Sequence, residues 1–332
     1  MIGVGSQDIE RKVLAIMRIL REAHEPVGAR IIARCLKDSG IDLGERAVRY
    51  HLKLMDERGL TRLVGRDGRL ITAEGLEELD SALVRDKVGL AISKIELLAV
   101  QTNFDWKSQT GQIPVNISFF PKDKFKKALH EMSPVFKAGL CAGNRVAVAQ
   151  EGEELGELRI PLGMVGFATT CSIVINGALL KSGVPIDSRF GGILQIKKHH
   201  PVRFVELIHY SGSSLDPSEV FIRGEMTSVG QAAISGDGKI LANFREIPAI
   251  CRAVVEEVMA GLTETGMGTL LLLGNTSESV CEIPVELNKI GMILIGGMNP
   301  VAAAEEAGIK TENRAMSTLM DYQKTINFEE LL

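Results

Sequence analysis

Between Gly166 and Gly192 the chain reads GFATTCSIVINGALLKSGVPIDSRFGG. Thr169, Thr170 and Ser172 place three small hydroxyls around the thiol of Cys171. An Asn176-Gly177 pair reads as a turn, and Asp187, Ser188, Arg189, Gly191 and Gly192 close the stretch. Glycines and hydroxyls let backbone N–H groups approach an anion, and arginine offers a carboxylate a bidentate, charge-assisted partner. The chemistry expected here is recognition of a small polar anion. A second account stands beside it: Arg189 with Asp187, and Arg314 with Glu312, hold equivalent turns. Cys171, inside an apolar run, reads as a small buried residue before it reads as a nucleophile. Ser211, Gly212 and Ser213, in SGSSLDPSEVF, fit a linker first and a cleft lining second.

A different chemistry is written from Val27 to Thr72. Ten Lys and Arg against six Asp and Glu make this stretch +4 within a chain of net charge −4. A basic module on an acidic body fits local contact with nucleic acid and excludes a coat spread over the whole surface. Arg46, Arg49, Tyr50 and Lys53 share the outer face of a helix expected from Glu45 to Arg58, where they can reach base edges and phosphates in a major groove. Arg66 and Arg69 are expected at the tip of a hairpin, where a wing meets the backbone or minor groove. Taken singly, such arginines only solvate a helix. It is their order within a larger pattern that favours DNA.

That pattern begins with Ser6 as a cap and Ile9, Val13, Ile16, Met17 and Leu20 as one helical stripe ending at Pro26. A second helix is expected from Ala29 to Ser39, closed by Gly40, and the third is stopped by Gly59. Two strands then flank Gly65, Asp67 and Gly68, and a helix from Ala73 to Val84 closes a winged helix-turn-helix over 1–84. Residues 85–89 form a short linker.

Beyond it the reading is mixed α/β. IELLAVQTNF and IPVNISFF read as strands, 122–136 as a helix, and 145–150 and RFVELIHY as strands. Sliding the chain 125 residues along itself aligns Phe119 with Phe244, Gly143 with Gly268, Val165-Gly166 with Ile290-Gly291, and GVPIDSR with GIKTENR. The fold expected is therefore an α/β multidomain protein, with the winged helix-turn-helix followed by a duplicated α/β regulatory domain of two similar lobes, 90–212 and 213–332. A cleft between two such lobes commonly holds a small molecule.

An apolar share of 45% against 24% charged residues suits two or three cores. The five widely spaced cysteines fit reduced thiols, and no CxxC or His/Cys cluster suggests zinc. The first residues lack a long apolar segment, and no apolar run approaches the roughly 20 residues of a membrane span. A cytoplasmic protein is expected. No P-loop or dinucleotide fingerprint appears.

The segments ERAVRYHLKLMDERGL, IPVNISFF, GFATTCSIVINGALLKSGVPIDSRFGG and SGSSLDPSEVF resemble the NrpR family, the nitrogen-responsive repressors of methanogenic archaea and some relatives. The likeness runs along nearly the whole chain, and the last two segments are the more particular. The resemblance implies a dimer on inverted-repeat operators of nitrogen-assimilation genes, released by 2-oxoglutarate, with no prosthetic group. It also implies Cys171, Asn176, Asp187 and Arg189 as ligand contacts. Some members carry two regulatory domains where this chain has room for one, so a second regulator is a possible partner. Two other readings stay open: a metabolic enzyme working through Cys171, and a winged helix that docks protein rather than DNA.

Overall fold

The structure, a computed structural model, describes residues 4–23, 25–81, 89–156 and 158–332. The chain divides into two compact units, Met1–Val88 and Gly89–Leu332.

The first unit runs α1 (Val4–Ala23), α2 (Ala29–Asp38), α3 (Glu45–Glu57), β1 (Thr61–Val64), β2 (Gly68–Ile71) and α4 (Ala73–Ser81). Ile16, Met17, Leu20, Ile32, Leu36, Val48, Leu52 and Met55 are all essentially buried, which is the three-helix stripe expected from their spacing. Each such side chain stabilises the core by roughly 1.5–3 kcal/mol. Left-handed Gly40 and Gly59 end α2 and α3. Ser6, expected as the cap, lies inside α1. The expected end of α4 at Val84 and linker residues 85–88 lie outside the described residues. In the wing, Val27 and Arg69 exchange two backbone hydrogen bonds of 3.0 Å. This brings Val27 so close to Gly68 that a Cβ there would sit 2.3 Å from the Val27 carbonyl carbon, and Gly68 has φ +134°. Only glycine meets both conditions.

The second unit opens with α5 (Leu90–Gln101), where a strand was expected from IELLAVQTNF. Buried Ala91, Ile95, Leu98 and Ala99 follow helical spacing, and the short apolar run within them does not distinguish helix from strand. The remaining elements are β3 (Gln112–Pro121), α6 (Phe125–Lys137), β4 (Arg145–Ala149), the short pair β5 (Glu154–Leu155) and β6 (Leu158–Arg159), β7 (Met164–Thr170), α7 (Ile173–Lys181), β8 (Asp187–Lys197), β9 (His200–His209), α8 (Pro217–Arg223), α9 (Val229–Ser235), β10 (Gly238–Pro248), α10 (Arg252–Glu264), β11 (Leu270–Thr276), β12 (Lys289–Ile295), α11 (Asn299–Glu306), β13 (Glu312–Asp321) and β14 (Ile326–Asn327).

The 125-residue offset lays β3 on β10, α6 on α10, β4 on β11, β7 on β12, α7 on α11 and β8 on β13, so the duplication is structural. The two antiparallel sheets do not follow the sequence halves. One has the order β13-β3-β7-β4-β14 and the other β11-β12-β10-β8-β9. Each repeat therefore gives its fourth strand, β8 or β13, to the sheet built on the other. Phe190 of β8 lies opposite Phe244 of β10, with their rings stacked at 5.2 Å. Strand exchange buries the inner ends of both repeats against each other, and polar groups on those ends must then satisfy one another.

Candidate functional site

On α3 the inner positions Val48, His51, Leu52 and Met55 are buried. Arg46, Arg49, Tyr50 and Lys53 are exposed on the opposite face, Tyr50 by 62%. Arg49 donates to Glu45 at 2.5 Å, and Lys53 stands 3.9 Å from Glu57. Surface pairs of this kind contribute about 0–1 kcal/mol, so either cation can exchange its partner for a phosphate. Arg66 is exposed in the β1–β2 turn.

Arg69 sits elsewhere than expected. It lies in β2 opposite Leu63, and its Nε donates to Asp56 Oδ2 at 2.8 Å, while Thr61 Oγ1 donates to Asp56 Oδ1 at 2.6 Å. Its place in the hairpin ladder turns it toward α3, so it braces the wing instead of forming the tip. Arg62, exposed on β1, belongs to the outer surface of the wing and was missed. Strand alternation within Thr61-Arg62-Leu63 was the available signal.

The eight ligand candidates in the second unit fall into three environments. Thr169 Oγ1 accepts from Asn116 Nδ2 at 3.3 Å, and Thr170 Oγ1 donates to the Arg145 carbonyl at 3.0 Å. Both hydroxyls bind sheet neighbours. Cys171 and Ser172, in the β7–α7 turn, line a small polar cavity of about 20 Å³. Asn176, Asp187, Ser188 and Arg189 line a separate groove of about 640 Å³, whose apolar wall includes Ile92, Ile95, Ala99 and Leu180.

Asn176-Gly177 is not a turn. Both residues are buried within α7. A Cβ on Gly177 would stand 2.6 Å from Thr102 Cβ, so the glycine permits α5 to lie close against α7. Asn176 Nδ2 donates to Ser188 Oγ at 2.9 Å. Arg189 Nη1 has three carboxylates around it: Glu286 at 3.0 Å, Asp187 at 3.2 Å and Glu246 at 3.4 Å. Lys289 joins the same cluster. Arg314 likewise pairs with Glu312 at 3.0 Å. The repeated arginine thus pairs with an acid two residues before it at the start of β8 and of β13. Ser211 lines the groove, and Ser213 closes a local loop through Leu215 and accepts from Ala91 N, which ties it to the start of α5.

The cavity is built from both repeats. Ser172 and Ile173 face it from one β–α turn, and Gly297 and Met298, each 125 positions further on, face it from the other. A Cβ on Gly297 would lie 2.2 Å from the Thr170 carbonyl oxygen, which shows how closely the turns approach. Tyr210 donates to Asn243 Oδ1 at 2.5 Å, Asn243 Nδ2 to Ser172 Oγ at 3.2 Å, and the Met316 amide to Asn116 Oδ1 at 3.0 Å. Burial pushes both the Cys171 thiol and the Tyr210 hydroxyl up to about 12, so both stay protonated.

Arg245, only 1% exposed, completes the lining. Its Nη1 donates to the Phe244 carbonyl at 3.3 Å and its guanidinium lies 5.0 Å from the Tyr210 ring centre, but its Nε has no hydrogen-bond partner. A buried cation with an unshared N–H, beside amide and hydroxyl groups and the starts of α7 and α11, is the kind of donor set that an anion can use. The signal in the sequence was the polar set Asn243, Arg245 and Glu246 within the apolar strand β10. Among the described residues, no group of three or more His, Cys, Asp or Glu could hold a metal ion, and no helix is long and apolar enough to cross a membrane.

A basic winged helix on one unit and a duplicated α/β body with a polar cavity on the other define a winged-helix transcription regulator. Residues 88–326 match the NrpR regulatory domains NRD1 and 2, and residues 14–79 match the ribonuclease R winged-helix domain. The chain belongs to the NrpR family of global nitrogen regulators. The global nitrogen regulator NrpRI of Methanosarcina mazei is 41% identical over 315 residues, covering 95% of this chain and 97% of that protein. NrpR of Methanococcus maripaludis is 34% identical, covering 92% of this chain and 53% of its own length. The chain thus spans about half of that relative. A crystal structure of a nitrogen repressor-like protein from Methanococcus jannaschii superposes with a TM-score of 0.61 at 26% identity, over 73% of this chain and 98% of that one. The chain is a nitrogen-responsive regulator of transcription, and the reading as an enzyme working through Cys171 gives way to it.

Proposed function

We propose that this chain represses nitrogen-assimilation genes by binding inverted-repeat operator DNA as a dimer, and that 2-oxoglutarate releases it. The exposed α3 stripe Arg46, Arg49, Tyr50 and Lys53 enters the major groove, with Arg66 at the wing turn on the backbone. Twofold operators call for two such readers related by a twofold axis.

The observation that carries the effector half is the unshared Nε of buried Arg245. It offers one carboxylate of the ligand a charge-assisted bond, and Ser172, Asn116 and Asn243 can exchange their present protein bonds for the rest. At about 20 Å³ the cavity has room for little more than a water molecule. A five-carbon dicarboxylate occupies several times that volume, so it binds a more open state. Ile95 lines both the cavity and the groove, and Lys94 Nζ reaches the Ala315 carbonyl at 3.5 Å, so opening shifts α5. That helix is the first element of its unit, directly after the segment leading from the DNA reader. A full reversal of occupancy requires about 5.5 kcal/mol of preference for the open state.

Fluorescence anisotropy on labelled operator DNA tests the proposal. Millimolar 2-oxoglutarate should release the protein, and DNA affinity should fall with added salt as counterions are released. DNA affinity indifferent to the ligand would remove the effector claim. Affinity indifferent to salt would favour a winged helix that docks protein.

A further inference from the structure

We infer that Tyr210 carries the opening of the cavity to the start of α5 and so couples effector binding to the release of DNA. The inference rests on the effector site proposed around Arg245.

Tyr210 follows β9 directly and begins the turn Tyr210–Gly212. It is 3% exposed and lines the cavity together with Ser172, Asn243 and Arg245. Its hydroxyl donates to Asn243 Oδ1 at 2.5 Å, and its ring centre lies 5.0 Å from the Arg245 guanidinium. Gly191 of β8 leaves room for that hydroxyl, since a Cβ there would stand 3.0 Å from the Tyr210 oxygen. One side chain therefore holds two of the groups that the effector would engage.

The backbone of Tyr210 leads the other way. Its carbonyl accepts from Ser213 N at 3.2 Å, and the Ser213 carbonyl accepts from Ala91 N at 3.2 Å, in the first turn of α5. Tyr210 also shares a hydrophobic core with Ala91 and Ile95 of that helix. Two backbone hydrogen bonds and one packed ring thus join cavity to helix, all within the second unit.

Entry of a dicarboxylate draws Asn243 and Arg245 toward the ligand. Asn243 Nδ2 then exchanges Ser172 for a ligand oxygen. Its Oδ1 either takes the Tyr210 hydroxyl along or leaves two buried polar groups unpaired, and the second outcome is the costlier. The ring does not move alone in a close-packed interior, because its backbone is bonded through Ser213 to α5. Opening of the cavity and displacement of α5 become one two-state change. Lys94, exposed on α5 with its Nζ 3.5 Å from the Ala315 carbonyl, is a weaker tie.

Coupling is the factor by which saturating 2-oxoglutarate weakens operator affinity, and by linkage the operator weakens 2-oxoglutarate affinity by the same factor. Anisotropy on labelled operator and calorimetry on the full chain measure it from both sides, and reading it at saturation keeps a mere loss of ligand affinity out of the result. Tyr210→Phe keeps the ring beside Arg245 and removes only the O–H. Its operator affinity without ligand should stay within about twofold of the wild type. Its coupling factor should fall about tenfold, the fold-change of one buried hydrogen bond. Lys94→Met should leave the factor within about twofold. Hydrogen exchange on the wild type gives a second readout that needs no variant: saturating ligand should change the protection of the Ala91 and Ser213 amides. An undiminished factor in Tyr210→Phe, an equal loss in Lys94→Met, or exchange at Ala91 and Ser213 indifferent to ligand would overturn the role of Tyr210. Absence of wild-type release at every 2-oxoglutarate concentration is a distinguishable result that would remove the effector reading and this inference together.

Discussion

Arg189 and Arg245 lie in neighbouring strands, β8 and β10, one beside the groove and the other in the cavity. Arg189 has three carboxylates within 3.4 Å, so an incoming anion would have to displace partners that already neutralise it. Arg245 has a carbonyl and an aromatic face, but one N–H unshared. The same residue type is held by carboxylates in one place and keeps a free donor in the other, and what separates them is the number of acceptors already in place. The DNA-reading unit repeats the contrast. Arg69 is fixed on Asp56, while Arg49 has only an exposed surface pair.

The contrast can be broken most sharply at Arg245. Arg245→Met keeps the volume but removes the cation. It should weaken 2-oxoglutarate binding by about 3 kcal/mol or more, since a buried charge partner is lost. Replacing an unpaired buried charge by an apolar side chain should leave the melting temperature unchanged or raise it. Calorimetry and thermal melts separate the two effects. On the DNA side, Arg49→Ala should cost about 1–3 kcal/mol of operator affinity if it reads a base, as measured by anisotropy. Arg69→Ala acts through the fold: loss of its half-buried bond to Asp56 should lower the unfolding free energy by about 1 kcal/mol in a denaturant titration. The smallest expected change in effector affinity is that of Arg189→Ala, within about 0.5 kcal/mol. If that variant loses 2-oxoglutarate binding as Arg245→Met does, counting acceptors does not distinguish the two arginines.

Much of the winged helix was legible because three amphipathic helices and a turn-rich hairpin obey short-range rules, from the Val48-Leu52-Met55 stripe to Gly40 and Gly59. Short-range rules also misled. Ile95–Val100 looked like a strand because a short apolar run carries no period of its own, and Asn176-Gly177 looked like a turn although its glycine allows two helices to touch. The 125-residue offset revealed the duplication but carried no information on which sheet takes β8 or β13. For that reason, Arg245 and Asn243 of the second repeat could not be placed beside Cys171 and Ser172 of the first. The motif around Cys171 marked a turn that lines the cavity. It also grouped Arg189 with that turn on chemistry alone, whereas Arg189 lines the separate groove, since an arginine's partners in space are not written in its neighbours in sequence.

The central claim is that the effector is received by Arg245 in a cavity that opens between the repeats. A crystal structure of the chain with 2-oxoglutarate tests this most directly. The prediction is a ligand carboxylate within hydrogen-bond distance of Arg245 Nε, in a cavity enlarged well beyond its present 20 Å³. A ligand seated instead in the groove against Arg189, with the cavity no larger than its present size, would contradict it.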